Sequence, residues 1–361
     1  MEHPTLSRIE EFSKRLIDQD RARVIVEPQR TGTGHWFGGG NLVEDRDGTL
    51  LLVGRYRNQG DSRTGLGAGE RGLELALFRS TNRGNSFSKV GRWSKADFNV
   101  NGHEVLSIEG SALRTTKHGI QLFISTEKSG IGYPHEVESY LKPGTGVWSI
   151  DRLTADSFDA LFDAEVTPCL SGADPRFVHV KDPFLGQVGD HECLWFCSHP
   201  FSWTSSNTGY VRIDSRGNVI DKPVYDAFPR GFTWDVAISR GTSILRLNFC
   251  GETNDLLFYD GGECVRNLDE HVAAVPRPRG YSCEELGGLA FYGEQEKNTV
   301  NRVSLTQPLF VSPHGTGCSR YVDVLETSDG YYATWQQAQA DGSQPLVMNH
   351  VSHEDVADLL A

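Results

Sequence analysis

Methionine is nearly absent from this chain, with 2 in 361 residues. No apolar run approaches the roughly eighteen residues that a membrane-crossing helix needs. The opening stretch, MEHPTLSRIEEFSKRLIDQDRARV, has no apolar core and no small-residue cleavage site, so it does not read as a signal peptide. A cytoplasmic chain is the expectation, with a secreted mature chain that has lost its leader as the alternative. Basic residues are in deficit, and the formal charge of −13 argues against a nucleic-acid or anionic-membrane partner. The seven cysteines are scattered, and only Cys193 and Cys197 lie close. Their spacing puts both on one face of a strand, which reads as buried free thiols rather than a metal pair. An odd count suits a reducing compartment.

What is present is glycine (39 residues) and short runs of Val, Ile, Leu, Phe and Trp between Gly, Asp and Asn clusters. That is the texture of a turn-rich, many-stranded β protein. Leu6, Ile9, Phe12, Leu16 and Ile17 carry a helical spacing over 4–20, with Thr5 or Ser7 as candidate N-cap. A second short helix is expected in the terminal SHEDVADLLA.

Five stretches share one phase: a polar or acidic head, an apolar strand, a Gly turn and a second apolar strand. They are NLVEDRDGTLLLVGRYR from Asn41, EGSALRTTKHGIQLFIST from Glu109, DPFLGQVGDHECLWFCSH from Asp182, DVAISRGTSILRLNF from Asp235 and DVLETSDGYYATWQQ from Asp323. Further strand pairs fill the intervals, among them LLFYDGGECVRNL. Five loose repeats of about four strands predict an all-β fold, a five-bladed β-propeller with a short N-terminal helix. The expected organisation is a helical extension over 1–22 and a single propeller domain over 23–361. RVIVEPQ and PLVMNHVS are expected to share one blade, because an unclosed ring would expose two strand edges.

In such a ring the innermost strands line one channel, so Asn41, Glu109, Asp182, Asp235 and Asp323 are expected to converge at its mouth. Acids packed together raise each other's pKa, and folding alone has no use for them there. Asp45, Asp47 and Asp329 precede hairpin glycines and are structural by contrast. GHWFGGGN offers His35 and Trp36 as a stacking face and polar tip for a sugar; GFTWDV repeats a Trp before an acid at Trp234. Arg55 follows the first inner strand, and His199 lies past the second strand of the third unit. RSTNRGNSF (79–87) has the outline of an Asp-box hairpin, with Asn82 where the Asp would be.

IEGSALRTTKHGIQLFIST and KDPFLGQVGDHECLWFCSH are similar to the acid-bearing stretches of the five-bladed β-propeller glycoside hydrolases, the group that includes families 32, 43, 62, 117 and 130. In family 43 a Glu-Gly-Pro supplies the general acid; Ser111 stands here in place of the Pro. The first unit of those families contributes an Asp, where this chain has Asn41. The resemblance implies a carbohydrate substrate and cleavage of a glycosidic bond by paired carboxylates.

Glycoside cleavage needs one protonated and one ionised carboxyl. Glu109 is expected to be the acid, with its pKa well above that of a free Glu. Asp182 is the expected base or nucleophile and Asp235 its partner. Asn41 and Asp323 would bind hydroxyls, with His35, Trp36, Arg55, His199 and Trp234 as further substrate contacts. No cofactor is required; a water or a structural calcium ion is expected in the channel. The competing readings are a non-catalytic carbohydrate-binding propeller, a lyase using Tyr133, His135 and Tyr321, and a sialidase-like enzyme. The last wants three arginines for a substrate carboxylate, and the expected channel positions supply Arg55 alone.

Overall fold

Apolar residues come in unbroken runs such as Leu50–Val53 because each sheet is covered on both faces. In the computed structural model of the chain, Leu51 and Val53 pack with Leu113 and Leu122 on one side. Leu50 and Leu52 pack with Leu346 and Met348 on the other. The alternation of a strand thus serves two neighbouring sheets rather than a core and solvent. The structure describes residues 3–58, 72–172, 174–202, 205–249, 251–263, 278–281, 283–293 and 299–361. Cys250, Cys264 and the tail of the 256–268 strand pair lie outside them.

The chain opens with α1 (His3–Leu16) and β1 (Arg23–Val26). Thr5 and Ser7, expected as N-cap, lie inside α1, because the helix starts earlier than its apolar stripe. Blade one holds β2 (Trp36–Gly38) and β3 (Leu42–Glu44), then β4 (Leu50–Arg57), β5 (Glu74–Ser80) and β6 (Ser88–Ser94). Blade two holds β7 (Val105–Thr116), β8 (Gly119–Lys128), β9 (Val147–Ala155) and β10 (Thr167–Ser171). Blade three holds β11 (His179–Val188), β12 (His191–His199), β13 (Asn207–Arg212) and β14 (Val224–Phe228). Blade four holds β15 (Ile238–Phe249), β16 (Glu252–Gly262), β17 (Leu286–Gly293) and β18 (Thr299–Arg302). Blade five holds β19 (Ser319–Thr327), β20 (Gly330–Gln337) and β21 (Leu346–Ser352), and β1 completes it.

The inner strands touch in sequence, β3 on β7, β7 on β11, β11 on β15, β15 on β19 and β19 on β3, which closes a five-bladed propeller. β1 pairs antiparallel with β21, Arg23 opposite Met348 and Val24 opposite Val347. The ring therefore closes through the expected blade, by joining the two ends of the chain. α1 seats Ile9, Phe12 and Leu16 in the cluster formed by blades four and five, where Phe12 meets Tyr331 edge-on at 5.5 Å. The last helix, α2 (His353–Leu360), is capped by Ser352, whose side chain accepts from the Asp355 amide, and joins the same cluster through Val356 and Leu359.

The Asp-box outline is a hairpin between β5 and β6. Asn82 Oδ1 accepts from the Ser86 amide, and Ser80 Oγ accepts from the Gly84 amide. Arg83 bonds to Asp329, tying this turn to a hairpin of blade five. Asp45, Asp47 and Asp329 each accept local turn hydrogen bonds, as their positions before glycine required.

Candidate functional site

Every inner strand breaks its pairing at the same level. The irregularity falls after Ile108 in β7, after Lys181 in β11, after Gly241 in β15 and after Arg320 in β19. In blade one it is the gap between β2 and β3. A bulge turns one or two residues out of the ladder and toward the axis. Asp182 and Tyr321 sit there in the left-handed region, at φ 51° and φ 52°, as does Gly39 at 71°. For a non-glycine residue that conformation costs about 1–3 kcal/mol and tends to be retained at functional sites. Gly110 is required: a Cβ on it would lie 2.6 Å from Asp182 Oδ1.

These bulges surround a cavity of about 20 Å³ on the axis, lined by Gly39, Gly110, Ser111, Asp182, Gly241 and Tyr321 among others. Behind the lining lies a buried cluster of mixed charge. Arg55 Nη2 reaches Glu109 at 3.4 Å and the Tyr321 hydroxyl at 3.2 Å. Arg240 donates through Nη1 to Asp182 at 3.2 Å and through Nε and Nη2 to Asp260 Oδ2 at 3.1 and 2.7 Å. Arg320 Nη1 holds Glu285 at 2.6 Å. Lys181 Nζ is 3.8 Å from Asp182 Oδ2 and 5.1 Å from the centre of the Trp148 ring. The guanidinium carbons of Arg240, Arg320 and Arg55 stand 4.1, 5.2 and 5.7 Å from the centre of the Tyr321 ring.

The expected ring of acids is therefore corrected. Glu109 and Asp182 do meet at the axis, but in company with cations. Burial drives the Glu109 pKa up, yet Arg55, Lys181 and Arg57 outweigh it and hold the group at about 2. Glu109 is ionised and does not hold the proton that a general acid must give. Burial acts likewise on Asp182, and Lys181, Arg240 and Arg55 prevail, keeping it below the ordinary carboxylate value.

Asp235 is absent from this cluster. It precedes β15 by three residues and is ion-paired with Arg302 at 2.6 Å, beside Tyr259 and Ser239. Trp234 stacks on Tyr259 at 5.5 Å and donates to the Ser304 carbonyl, so the pair anchors blade four. Asn41 and Asp323 sit just past their bulges and fasten neighbouring blades. Asn41 exchanges hydrogen bonds with both backbone groups of Leu113, and Asp323 accepts from the Leu42 amide at 2.8 Å. Trp36 does reach the cluster, its ring 4.4 Å from the Arg320 guanidinium carbon and 4.6 Å from that of Arg57. His35 is buried beside it, its carbonyl accepting from Gln344. His199 lies against Cys197 Sγ at 3.2 Å; burial, then Lys181 and His179, keep its ring neutral. Tyr133 instead pairs with His179 at 2.9 Å, and His135 is exposed.

Sequence reasoning missed Lys181, Arg240, Asp260, Glu284, Glu285 and Arg320. A signal was there. Lys181, Arg240 and Arg320 immediately precede the bulge region in three consecutive blades, and an alignment on acids concealed them. Two further buried arginines, Arg240 and Arg320, thus join Arg55 near the axis.

Three carboxyls near the axis behave differently. Burial raises Asp260 to about 6, Glu284 to about 7 and Asp323 to about 7, against partial relief from Arg240, from Thr316 and from the Leu42 amide respectively. Between the unfolded value near 4 and these folded values, the folded state binds more protons, so stability falls as pH rises. Glu109 and Glu285, both at about 2, act oppositely, and only as pH drops below roughly 4. His179 and His199, held neutral by burial, likewise act in the opposite sense below about pH 6.5 and offset part of that decline. Relative to the native chain, Asp323→Asn should therefore gain unfolding free energy as pH rises from 5 to 7, by up to about 1.4 kcal/mol per pH unit. A difference between the two in urea unfolding that stays constant over that range would contradict the assignment of Asp323.

No protein-family model matches the sequence, and no curated protein does either. Solved structures do match in fold. An α-L-arabinofuranosidase from Lactobacillus brevis shares 9% identity over 90% of this chain and 92% of its own, with a TM-score of 0.57. An endo-arabinase from Bacteroides thetaiotaomicron shares 10% over 91% and 97%, with a TM-score of 0.55. A protein described as a glycoside hydrolase shares 10% over 97% and 95%, with a TM-score of 0.62. The propellers this chain resembles thus include glycoside hydrolases, at identities that speak for fold alone.

Proposed function

We propose that the chain is a glycoside hydrolase whose reaction takes place at the axial cavity, with Asp182 as base or nucleophile. The observation that carries this reading is Asp182 itself. It is an ionised carboxylate turned out of its strand by a left-handed bulge, lining the cavity and held by Arg240 and Lys181. The fold neighbours support the substrate class, since two of those described are an α-L-arabinofuranosidase and an endo-arabinase.

The proton donor passes from Glu109 to Glu284. Of the three carboxyls that burial raises, Asp323 is taken up by the Leu42 amide, and Asp260, the least raised, is fully buried and held by Arg240 and the Tyr321 amide. Glu284 sits at the edge of the cluster, bonded to the Thr316 hydroxyl, with a pKa matched to acid catalysis at neutral pH. Glu109 then fixes Arg55. Two-carboxylate chemistry needs no cofactor.

The test is a panel of nitrophenyl and methylumbelliferyl glycosides, furanosides, pyranosides and uronides included. At least one should be cleaved. Glu284→Gln should slow an alkyl glycoside by about 10²-fold or more and the nitrophenyl glycoside far less, because a good leaving group needs little protonation. No turnover across the panel would defeat the hydrolase reading, and equal losses on both leaving groups would defeat the role of Glu284.

A further inference from the structure

The strand connections differ at the two ends of the ring. Away from the axial cavity, strands join through tight hairpins, Thr116 to Gly119, Val188 to His191 and Thr327 to Gly330. At the cavity end the connections carry extra structure, and those of blades two and three enclose a second cavity of about 480 Å³. Its wall is almost wholly apolar. Val137 comes from a short turn of helix (His135–Tyr140) between β8 and β9. Pro175 and Phe177 precede β11, and Pro200 and Phe201 follow β12. All five are only half-buried. A concave apolar surface left to water, on connections raised beside a rigid axis, marks a binding groove.

The groove is held in shape by the chain itself. The Trp148 amide donates to His179 Nδ1 at 3.3 Å, which leaves the proton of this buried, neutral ring on Nε2. That proton goes to the Tyr133 oxygen at 2.9 Å, and the Tyr133 hydroxyl donates to the Phe201 carbonyl at 3.3 Å. One run of hydrogen bonds thus pins two of the connections to β9 and β11. The Phe201 ring rests on Tyr140 at 4.5 Å, and the Phe177 ring stacks flat on Tyr225 at 4.5 Å. Neither tyrosine lines the groove, so each braces a wall from outside. The polar side chains of the wall are already engaged. Ser198 Oγ donates to the Tyr225 carbonyl at 2.7 Å, Asn207 Oδ1 accepts from the Arg230 amide at 3.1 Å, and Ser206 is buried against Cys197. Arg176 gives Nε and Nη2 to Asp174. In this wall only the Arg230 guanidinium has no ion partner among the described residues.

We propose that this groove binds a neutral, planar aromatic group carried by a carbohydrate. A bare sugar fits it poorly: its many hydroxyls would lose water to a wall with few open hydrogen-bonding groups. An aromatic ring loses no such bonds, gains from leaving water, and meets Phe177 and Phe201 in offset or edge-on contact. Arg230 is left to donate to an oxygen on the ring. The volume is that of a small-molecule site and has room for two fused rings. The groove also stands at the same end of blade three as Asp182. Ser198 is opposite Val180, two residues before Asp182, and Phe177 is five before it, roughly 7–16 Å along the strand. A sugar can therefore reach the axis while its aromatic group lies in the groove. The inference rests on the carbohydrate reading above for the sugar, and on the groove alone for the aromatic group.

The test is calorimetric titration of the whole chain with methyl cinnamate and 2-naphthol, both neutral, against cyclohexanol and arabinose. The aromatic compounds should bind about tenfold or more tightly than either control. Val137→Trp fills the groove from a turn in which no residue is buried, and it should abolish that binding while leaving turnover of alkyl glycosides unchanged. Should the variant fail to fold, cross-relaxation between the ring protons of 2-naphthol and the Val137 methyl groups of the unmodified chain replaces it. Two further arms locate the group on the sugar. A naphthyl glycoside carries it on the leaving oxygen, and a cinnamoyl ester of the methyl glycoside carries it elsewhere. One of the two should bind about tenfold or more tightly than the plain methyl glycoside. Aromatic binding no tighter than that of cyclohexanol, binding that survives Val137→Trp, no contact with the Val137 methyls, or no gain in either sugar arm would each overturn the inference. Binding of the aromatic probes and of one sugar arm, without turnover of any glycoside, would leave the groove standing and remove the hydrolase. Turnover of plain and aromatic-bearing glycosides at equal kcat/KM, with no binding of the probes, would do the reverse.

Discussion

Asp182→Asn should lower kcat by about 10²–10⁴-fold on every glycoside the chain cleaves, whatever the leaving group. The substitution is nearly isosteric, and Asn tolerates the left-handed backbone that residue 182 adopts. Its side-chain oxygen can still accept from the Gly110 amide, the bond that joins blades two and three at 2.9 Å. What goes is the negative charge facing the cavity. A base or nucleophile acts in both cleavage of a poor leaving group and cleavage of a good one, so the loss should not shrink with nitrophenyl substrates. Glu284→Gln should show the opposite dependence, and the two variants together separate the roles. Glu109→Gln should lie between them, acting through the position of Arg55 rather than through proton transfer. A loss below about tenfold for Asp182→Asn, with the melting transition intact, would remove Asp182 from the chemistry.

The ring was legible because its cause is simple. Each sheet is buried on both faces, so each blade writes an unbroken apolar run and a Gly turn into the chain, and five such units leave a countable phase. Closure through β1 and β21 was legible for the same reason, since an unpaired edge on either side would be a liability. The site was legible only in part. Glu109 and Asp182 stand at bulges and were found. Asp235 looked equivalent because an acid precedes an apolar strand there too, but in blade four the bulge comes six residues later, at Gly241, after Arg240. A bulge is a property of two paired strands, and one strand's sequence does not display it. Asn41 and Asp323 are in phase with each other but one step past the axis, where a short polar side chain can fasten the next blade. The charge state of Glu109 was misjudged for a related reason. Counting acids alone predicted a raised pKa, while Lys181, Arg240 and Arg320 enter from positions that the acid alignment passed over.

Arg240 is the residue whose removal the fold should tolerate least. Among the described residues it alone touches three of the buried carboxylates: Asp182 at 3.2 Å, Asp260 at 2.7 Å and Glu285 at 3.7 Å. Arg240→Met keeps much of the volume and leaves those groups with less compensation. Stripping one partner from a buried ion pair typically costs about 3–5 kcal/mol, because the remaining charge stays desolvated. Here the cost should depend on pH in a stated direction. Without Arg240 the pKa values of Asp182 and Asp260 rise, so both bind protons in the folded state that the unfolded chain has released, and stability falls as pH rises. Denaturant midpoints of the native chain and the variant should thus lie closer together at pH 5 than at pH 8. Arg176→Met, which removes an exposed, solvent-screened pair with Asp174, should barely move the midpoint at either pH. If Arg240→Met matched that surface control, the axial charges would be solvated rather than buried.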